Sequence, residues 1–448
     1  MSKTTLQRQT YFSFVPKTEQ TKKMYRNSEA NKLFEQDRAF HQWYRFVLSF
    51  PPHLVQEYIE RFELKKGDIL FDPFCGTGTT IIEAKLKGLR GIGIEANQMG
   101  YFASSIKSNW TIDPDELMKS SKRIAEIAAE RIHSSKLLQE LPEEQRELLL
   151  EDSISPLPLH KSLILRDAIN ETKTHLTGHQ HLALAASTVR HASNLHFGPE
   201  VGVSRTKKQD ADVVSDWLST MEIFVHDLKN FVPKLGVQPS NIIWGDSRNL
   251  ANYLVDTKNN RIDAVFTSPP YPNEKDYTRT TRLESVLFGF IRNKADLRNM
   301  KQKLLRSNSR NIYKHDNDDS FIAHHPEVIR IAETIEAKRI AMGKTSGFEK
   351  MYHKVVRQYF GGIARHLESL KPFLNSSRKG GAMLGYVVGD QASFLQVPIP
   401  TGKILADIAV SLGYELIAID LFRTRFATVT QKNMNEEVVV LRWKGKSK

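Results

Sequence analysis

The chain has 448 residues, a single cysteine and a formal charge of +13. That length allows one large domain or two to three modest ones. The lone Cys75 excludes an intramolecular disulfide and any all-cysteine metal site, and the excess of cations favours a polyanionic partner without dictating a fold. The opening residues, MSKTTLQRQT, lack the apolar stretch of a secretory signal, and no run of about 18 apolar residues occurs, so the expectation is a cytoplasmic protein without a membrane span.

In chain order, Lys22 to Tyr58 reads as largely helical, with an aromatic cluster at Phe40–His41–Gln42–Trp43–Tyr44; Phe50–Pro51–Pro52 interrupts it, and HLVQEYIERF starts a helix behind the prolines. GDILFDPFCGTGTTIIEAKLKGLRGIGIEAN then gives a strand (Asp68–Asp72), a glycine-rich turn (Cys75–Gly78), a helix (Thr79–Lys87) and a strand (Gly91–Glu95). This is a βαβ unit, which implies a parallel sheet. From about Trp110 to Phe231 the pattern is helical and mostly polar: Asp113 is an N-cap with Pro114 at the first helical position, and LPEEQRELLLED and DVVSDWLSTMEIFVHDLKNFV read as further helices. Phe197–Val213 carries turn signals and two lysines and reads as a hairpin or loop. Strands return in NIIWGDSRNL (Asn241–Leu250) and RIDAVFTSPPY (Arg261–Tyr271), and a basic stretch runs from Arg292 to Lys314. Phe348–Leu370 has the apolar spacing of a long helix, GGAMLGYVVGD is a buried strand, TGKILADIAVSLGYEL a helix entering a strand, and EEVVVLRW a last strand.

The glycine-rich turn has a physical logic. Gly76 and Gly78 allow positive φ and close backbone approach to a ligand, the helix behind them presents free N–H groups, and Glu95, ending the next strand, can accept two ribose hydroxyls. An adenosine-containing cofactor suits this order, although the third glycine of the dinucleotide fingerprint is missing.

Phe71–Asp72–Pro73–Phe74–Cys75–Gly76–Thr77–Gly78–Thr79–Thr80 resembles the S-adenosylmethionine loop of the amino-group DNA methyltransferases, the N4-cytosine and N6-adenine enzymes. The resemblance implies S-adenosylmethionine as cofactor, with Asp72, Phe74, Gly76, Gly78 and Thr79 around its methionine part, Glu95 on the ribose and Asp246 of GDSR at the adenine. The segment around Phe50 resembles the family's motif that closes over the methionine end. The implied fold class is α/β: a Rossmann-like methyltransferase core with a mainly parallel sheet, a closing C-terminal hairpin and two largely helical insertions. The expected divisions are 1–109 (N-terminal helices and the cofactor-binding half), 110–235 (a helical insertion), 236–291 (core strands with the catalytic turn), 292–347 (a basic insertion) and 348–448 (the remainder of the core). The resemblance spans roughly 35–110, 240–292 and 350–445.

Ser268–Pro269–Pro270–Tyr271 resembles the same family's catalytic turn, and chemistry accounts for its residue types. An exocyclic amino nitrogen is a poor nucleophile because its lone pair is conjugated with the ring. Acceptors that hold its hydrogens improve it; Ser268 Oγ and the Pro269 carbonyl suit that role, since prolines have no N–H to compete and fix the carbonyl angles. Tyr271 offers a stacking face for a base flipped out of the duplex. Serine at the first position leans toward cytosine N4; adenine N6 is the alternative, and an RNA amino-methyltransferase a further one, because guanosine-modifying tRNA enzymes share a similar loop and proline-proline turn. Methylation at cytosine C5 needs a cysteine nucleophile, and Cys75 sits in the cofactor turn.

The resemblance implies double-stranded DNA as substrate and a cognate restriction endonuclease as a partner. Arg279, Arg282, Arg306 and Arg310 are candidate DNA contacts. The histidines of HLTGHQHLALAAS and VRHASNLHF come without a cysteine or an H-E-x-x-H pattern, so no metal site is expected.

Overall fold

The structure is a computed structural model that describes residues 29–46, 49–198, 200–235, 239–255, 261–273, 275–427 and 431–445. Helix α1 (Pro52–Arg61) starts on the second proline, one residue earlier than expected, with Pro51 as its N-cap. Strand β1 (Ile69–Asp72), α2 (Thr79–Leu86) and β2 (Arg90–Glu95) form the βαβ unit, with Leu70 opposite Gly91 in a parallel pair. A helical layer follows: α3 (Gln98–Lys107), α4 (Pro114–Ser134), the single turn α5 (Glu143–Arg146), α6 (Pro156–Glu171), α7 (Thr177–Ser187) and α8 (Val213–Leu235), the short hairpin β3 (Leu195–Phe197) and β4 (Val201–Val203) preceding the last. Strands β5 (Ser240–Trp244) and β6 (Ala264–Thr267) resume the sheet. After α9 (Arg282–Leu287), α10 (Lys294–Lys303), α11 (Pro326–Ala341) and α12 (Tyr352–Leu370) come β7 (Ala382–Gly389), α13 (Thr401–Ser411) and the hairpin β8 (Glu415–Ala427) and β9 (Lys432–Trp443).

The seven-stranded sheet has the order β5-β2-β1-β6-β7-β9-β8. The first five strands are parallel, β9 is antiparallel to β7, and β8 is antiparallel to β9. Every residue of β1 and β6 is buried, which is why they read as short uninterrupted apolar runs. Alternation still sorts their side chains: Ile69, Phe71 and Val265 join the core under α11 to α13, while Leu70, Ala264 and Phe266 join the core under α1 and α2. From β1 the chain steps outward to β2 and β5, then returns to β6 on the other side of β1. Ligands of open α/β sheets bind at such a reversal, outside the carboxyl ends of the strands.

The segment before α1 departs from the expected helix. Its described residues make turns and one 3-10 turn at Glu35–Asp37, and those before Glu29 lie outside the described residues. Phe40 has φ of 60°, outside helical geometry. Its ring stacks on Trp110 at 4.3 Å, while Trp43 stacks on Phe224 at 4.1 Å. The buried carboxylate of Asp227, in α8, accepts both the Phe40 amide and the Trp43 indole N–H at 2.9 Å. Aromatic residues that read as one helical face therefore serve as anchors of an irregular strap.

Other differences are smaller. LPEEQRELLLED forms one turn only, and α3, α6 and α7 add helices beyond those expected. Residues 292–347 pack in two directions: Met300 of α10 joins the helical layer, whereas Leu305, Ile322 and Val328 join the core beneath the sheet. Among the described residues no helix is long and apolar enough to cross a membrane.

Replacing Asp227 by alanine strands two buried donors, each costing about 1–3 kcal/mol. Urea denaturation of Asp227→Ala is expected to show a loss of about 2–6 kcal/mol; stability equal to the wild type would show that the strap is not held this way.

Candidate active site

The carboxyl ends of β1, β2, β5, β6 and β7 open into one cavity of about 1100 Å3. Phe74, Cys75, Gly76, Thr77 and Thr79 of the glycine-rich turn line it. Gly76, at φ of 53°, donates its N–H to Glu95 Oε2 at 2.8 Å, and the Asn97 amide donates to Glu95 Oε1 at 2.7 Å. Each carboxylate oxygen thus meets one amide and keeps a lone pair for a vicinal pair of hydroxyls. Burial nonetheless outweighs those amides and raises the Glu95 pKa to about 7. Burial also pushes the Cys75 thiol up, far from the thiolate a nucleophile requires.

Two of the expected cofactor residues stand behind the cavity wall. Asp72 is fully buried; its Oδ1 accepts the Thr267 hydroxyl at 2.5 Å and the Phe74 amide at 3.1 Å, and burial raises its pKa to about 6. Gly78 has φ of 85°, and a Cβ there would lie 3.0 Å from Ser104 Cβ. Its missing side chain lets the start of α2 approach α3, so Gly76, not Gly78, faces the ligand space.

Behind the turn, the buried Lys107 donates from Nζ to the Thr77 carbonyl at 2.9 Å and the Tyr44 carbonyl at 3.1 Å. Burial, then Arg45 and Arg190, pull its pKa down to about 7. This amine fastens the strap to the cofactor turn, so that Phe46 lines the cavity beside Gly76. Phe50 lines it too, edge-on to Phe266 at 5.8 Å. Asp246 lines the wall beyond β5 with both oxygens gripped by Arg248, at 2.9 Å and 2.7 Å, and Arg248 reaches on to Asp318 at 2.6 Å.

Ser268, Pro269, Pro270 and Tyr271 leave β6 along the same cavity. Burial, followed by Glu436, holds the Tyr271 phenol well above its ordinary pKa, with Ser268 acting in the opposite direction. The Tyr271 ring packs on bare backbone at the end of β7: a Cβ on Gly389 would lie 2.9 Å from Cε2.

None of the four arginines proposed for nucleic acid lines this cavity. Arg306 is a correction: it is buried, paired with Asp316 at 2.8 Å and bonded to the carbonyls of Lys301 and Gln302, a partner set that closes its own loop. Arg282 donates to Thr278 Oγ1 at 2.8 Å and to the Leu148 carbonyl at 3.2 Å, bracing α9 on the helical layer. Glu284 instead takes the Tyr44 hydroxyl at 2.5 Å. Arg279 lies 3.8 Å from Glu200, and Arg310 is exposed over the Phe348 ring. The cations that do line the cavity include Lys275, Lys303, Arg423 and Arg425. The last two sit in a strand whose alternation is broken by a bulge between Leu421 and Arg423, so their side was not readable from spacing. Among the described residues no group of three or more His, Cys, Asp or Glu side chains is placed to hold a metal ion.

Residues 2–104 match a family model described as DNA methylase, covering N6 and N4 enzymes. The type II methyltransferase M.BsoBI of Geobacillus stearothermophilus is 27% identical, over 94% of this chain and 87% of its own. M.MvaI of Kocuria varians is 25% identical over 52% of this chain and 54% of its own. A short likeness, 63% identical over 7% of this chain and 18% of the relative, is to a probable tRNA (guanine(10)-N2)-dimethyltransferase of Methanothermococcus thermolithotrophicus. The family model and the type II relatives support the amino-group DNA methyltransferase family.

The state of Glu95 carries a pH signature. Its raised pKa leaves it partly protonated at neutral pH; if Glu95 takes a ribose diol, only its carboxylate can accept both hydroxyls, and binding would favour the deprotonated form. Affinity for S-adenosylmethionine, measured by calorimetry, is expected to rise with pH below about 7, by up to about tenfold per unit, and to level off above it. In Glu95→Gln this dependence should vanish; a wild-type affinity that does not change with pH would remove this role.

Proposed function

We propose that this chain transfers a methyl group from S-adenosylmethionine to the exocyclic N4 of cytosine in double-stranded DNA at a short specific site. The observation that supports it best is the meeting of Gly76, Glu95 and the Ser268–Tyr271 turn in one cavity. Its volume of about 1100 Å3 exceeds the usual ~300–1000 Å3 of a site for one small molecule, leaving space for a cofactor and a base together. The donor set fits the cofactor: a two-oxygen carboxylate for a ribose diol, and a side-chain-free Gly76 with Phe74 and Phe46 around the aliphatic end. The bound cofactor supplies an electrophilic methyl on its sulfonium.

The residues of this chain do the rest. Tyr271, backed by Gly389, receives the flipped base on its ring. Ser268 Oγ presents lone pairs to one amino hydrogen of the base, and the Pro269 carbonyl to the other. Both draw the nitrogen away from conjugation, toward tetrahedral geometry, and aim its lone pair at the methyl. Fixed geometry of this kind is worth several orders of magnitude in rate. The names of the type II relatives support a restriction-modification setting with a cognate endonuclease, in the cytoplasm where the DNA lies. Serine at the first position of the turn, Ser268, favours cytosine; adenine N6 is the second reading.

The deciding experiment incubates the protein and labelled cofactor with DNA, RNA or neither, followed by digestion to nucleosides. N4-methyldeoxycytidine from the DNA sample is expected. N6-methyldeoxyadenosine would select the second reading; label in RNA alone, or no transfer, would overturn both. Ser268→Ala is expected to lower kcat about tenfold to a hundredfold while cofactor affinity stays unchanged, and full activity would remove the role given to that oxygen.

A further inference from the structure

We propose that Arg423 and Arg425 of β8, together with Lys275, form a phosphate clip for the backbone of the nucleotide whose base stacks on Tyr271. The clip rests on the nucleic-acid reading above, and assigns it a contact surface that the glycine-rich turn and the proline turn do not include.

The two guanidiniums share one carboxylate. Glu436, on β9 opposite Arg423, accepts a hydrogen bond from Arg423 Nε through one oxygen and forms an ion pair with Arg425 Nε at 2.7 Å through the other. Arg425 Nη2 also donates to the Asp390 carbonyl at 3.4 Å. The Glu436 side chain is 7% exposed, against 21% for Arg423 and 37% for Arg425, so the negative charge is sunk beneath the positive ones. Lys275 joins them on the cavity wall; burial and then Arg425 hold its pKa below the ordinary lysine value. Two further acids line the cavity here: Glu200, shared with Arg279 at 3.8 Å, and Asp390, beside Arg425. Lys275, Arg279, Arg423 and Arg425 against Glu200, Asp390 and Glu436 leave a net positive site, and paired guanidiniums match the fork geometry of a phosphate.

Position supplies the second argument. A point just off the Gly389 backbone, where a Cβ would stand, lies 2.9 Å from Tyr271 Cε2 and 3.3 Å from Arg425 Nη2. The stacking platform and the nearer guanidinium are therefore neighbours, as a base and its own phosphate require. Phe422 and Phe426 line the same mouth, Phe426 being 60% exposed, and aromatic rings interleaved with cations suit an unpaired strand. The rival anion is the carboxylate of the cofactor's methionine part, which the test separates.

The test titrates a fluorescent mixed-sequence duplex of about 30 base pairs with protein at several salt concentrations, and measures S-adenosylmethionine affinity alongside. Each phosphate contact contributes about 0.9 to the slope of log affinity against log salt. Arg423→Gln and Arg425→Gln are each expected to lower that slope by about one, the double variant by about two, and the Arg423→Lys/Arg425→Lys pair to restore most of it, all with unchanged cofactor affinity. A wild-type slope in the double glutamine variant overturns the clip and leaves the methyltransferase reading intact. Lost cofactor affinity with an unchanged slope also overturns it, placing the guanidiniums on the cofactor carboxylate. A wild-type protein that binds no duplex overturns clip and nucleic-acid reading together.

Discussion

One buried hydrogen bond organises the site: the Thr267 hydroxyl on Asp72. It joins the carboxyl ends of β1 and β6, the two neighbouring strands between which the strand order reverses. One strand leads into the glycine-rich turn and the other into the proline turn. A parallel sheet alone would set these turns side by side; the Asp72 carboxylate, which also takes the Phe74 amide, sets how they face each other. Asp72 is thus part of the frame, and its burial explains both its raised pKa and its absence from the cavity surface.

Around this frame the other elements each contribute a wall. The helical layer reaches the cavity through the strap, fixed at one end by Asp227 and at the other by Lys107. The ion-pair ladder from Asp246 through Arg248 to Asp318, which also takes Arg365 at 2.8 Å, ties the wall beyond β5 to α12. The C-terminal hairpin closes the far side and brings Arg423 and Arg425 to the cavity wall, Arg425 beside Tyr271. Buried ion pairs of this sort add little net stability but are expensive to break singly, which suits groups whose work is to hold position.

Much of this was legible in the sequence because local rules agree with the fold. β1 and β6 are apolar runs ended by turn chemistry, the Asp113 cap and Pro114 mark the start of α4, and Gly76 and Glu95 stand in strand–helix–strand order. What was not legible depends on partners distant in sequence. The strap reads as a helix because Phe40, Trp43 and Tyr44 stand at helical spacing, and nothing local reveals Asp227. Arg306 reads as a DNA contact because a charge in a basic stretch is assumed to be solvated, whereas Asp316 holds it inside. Gly78 reads as a cradle because its neighbour Ser104 belongs to another helix. Arg423 and Arg425 lie in a strand whose bulge hides their side, and their shared Glu436 is on the next strand.

The strap makes the helical layer and the cofactor turn parts of one thermodynamic unit. Trp43, Tyr44 and Phe46 follow one another so closely that what orders one orders the rest: Trp43 is clasped by α8, the Tyr44 carbonyl by Lys107, and Phe46 stands over Gly76. The wall of the cavity at Phe46 is thus placed by contacts made in the helical layer, several residues back along the same stretch of backbone.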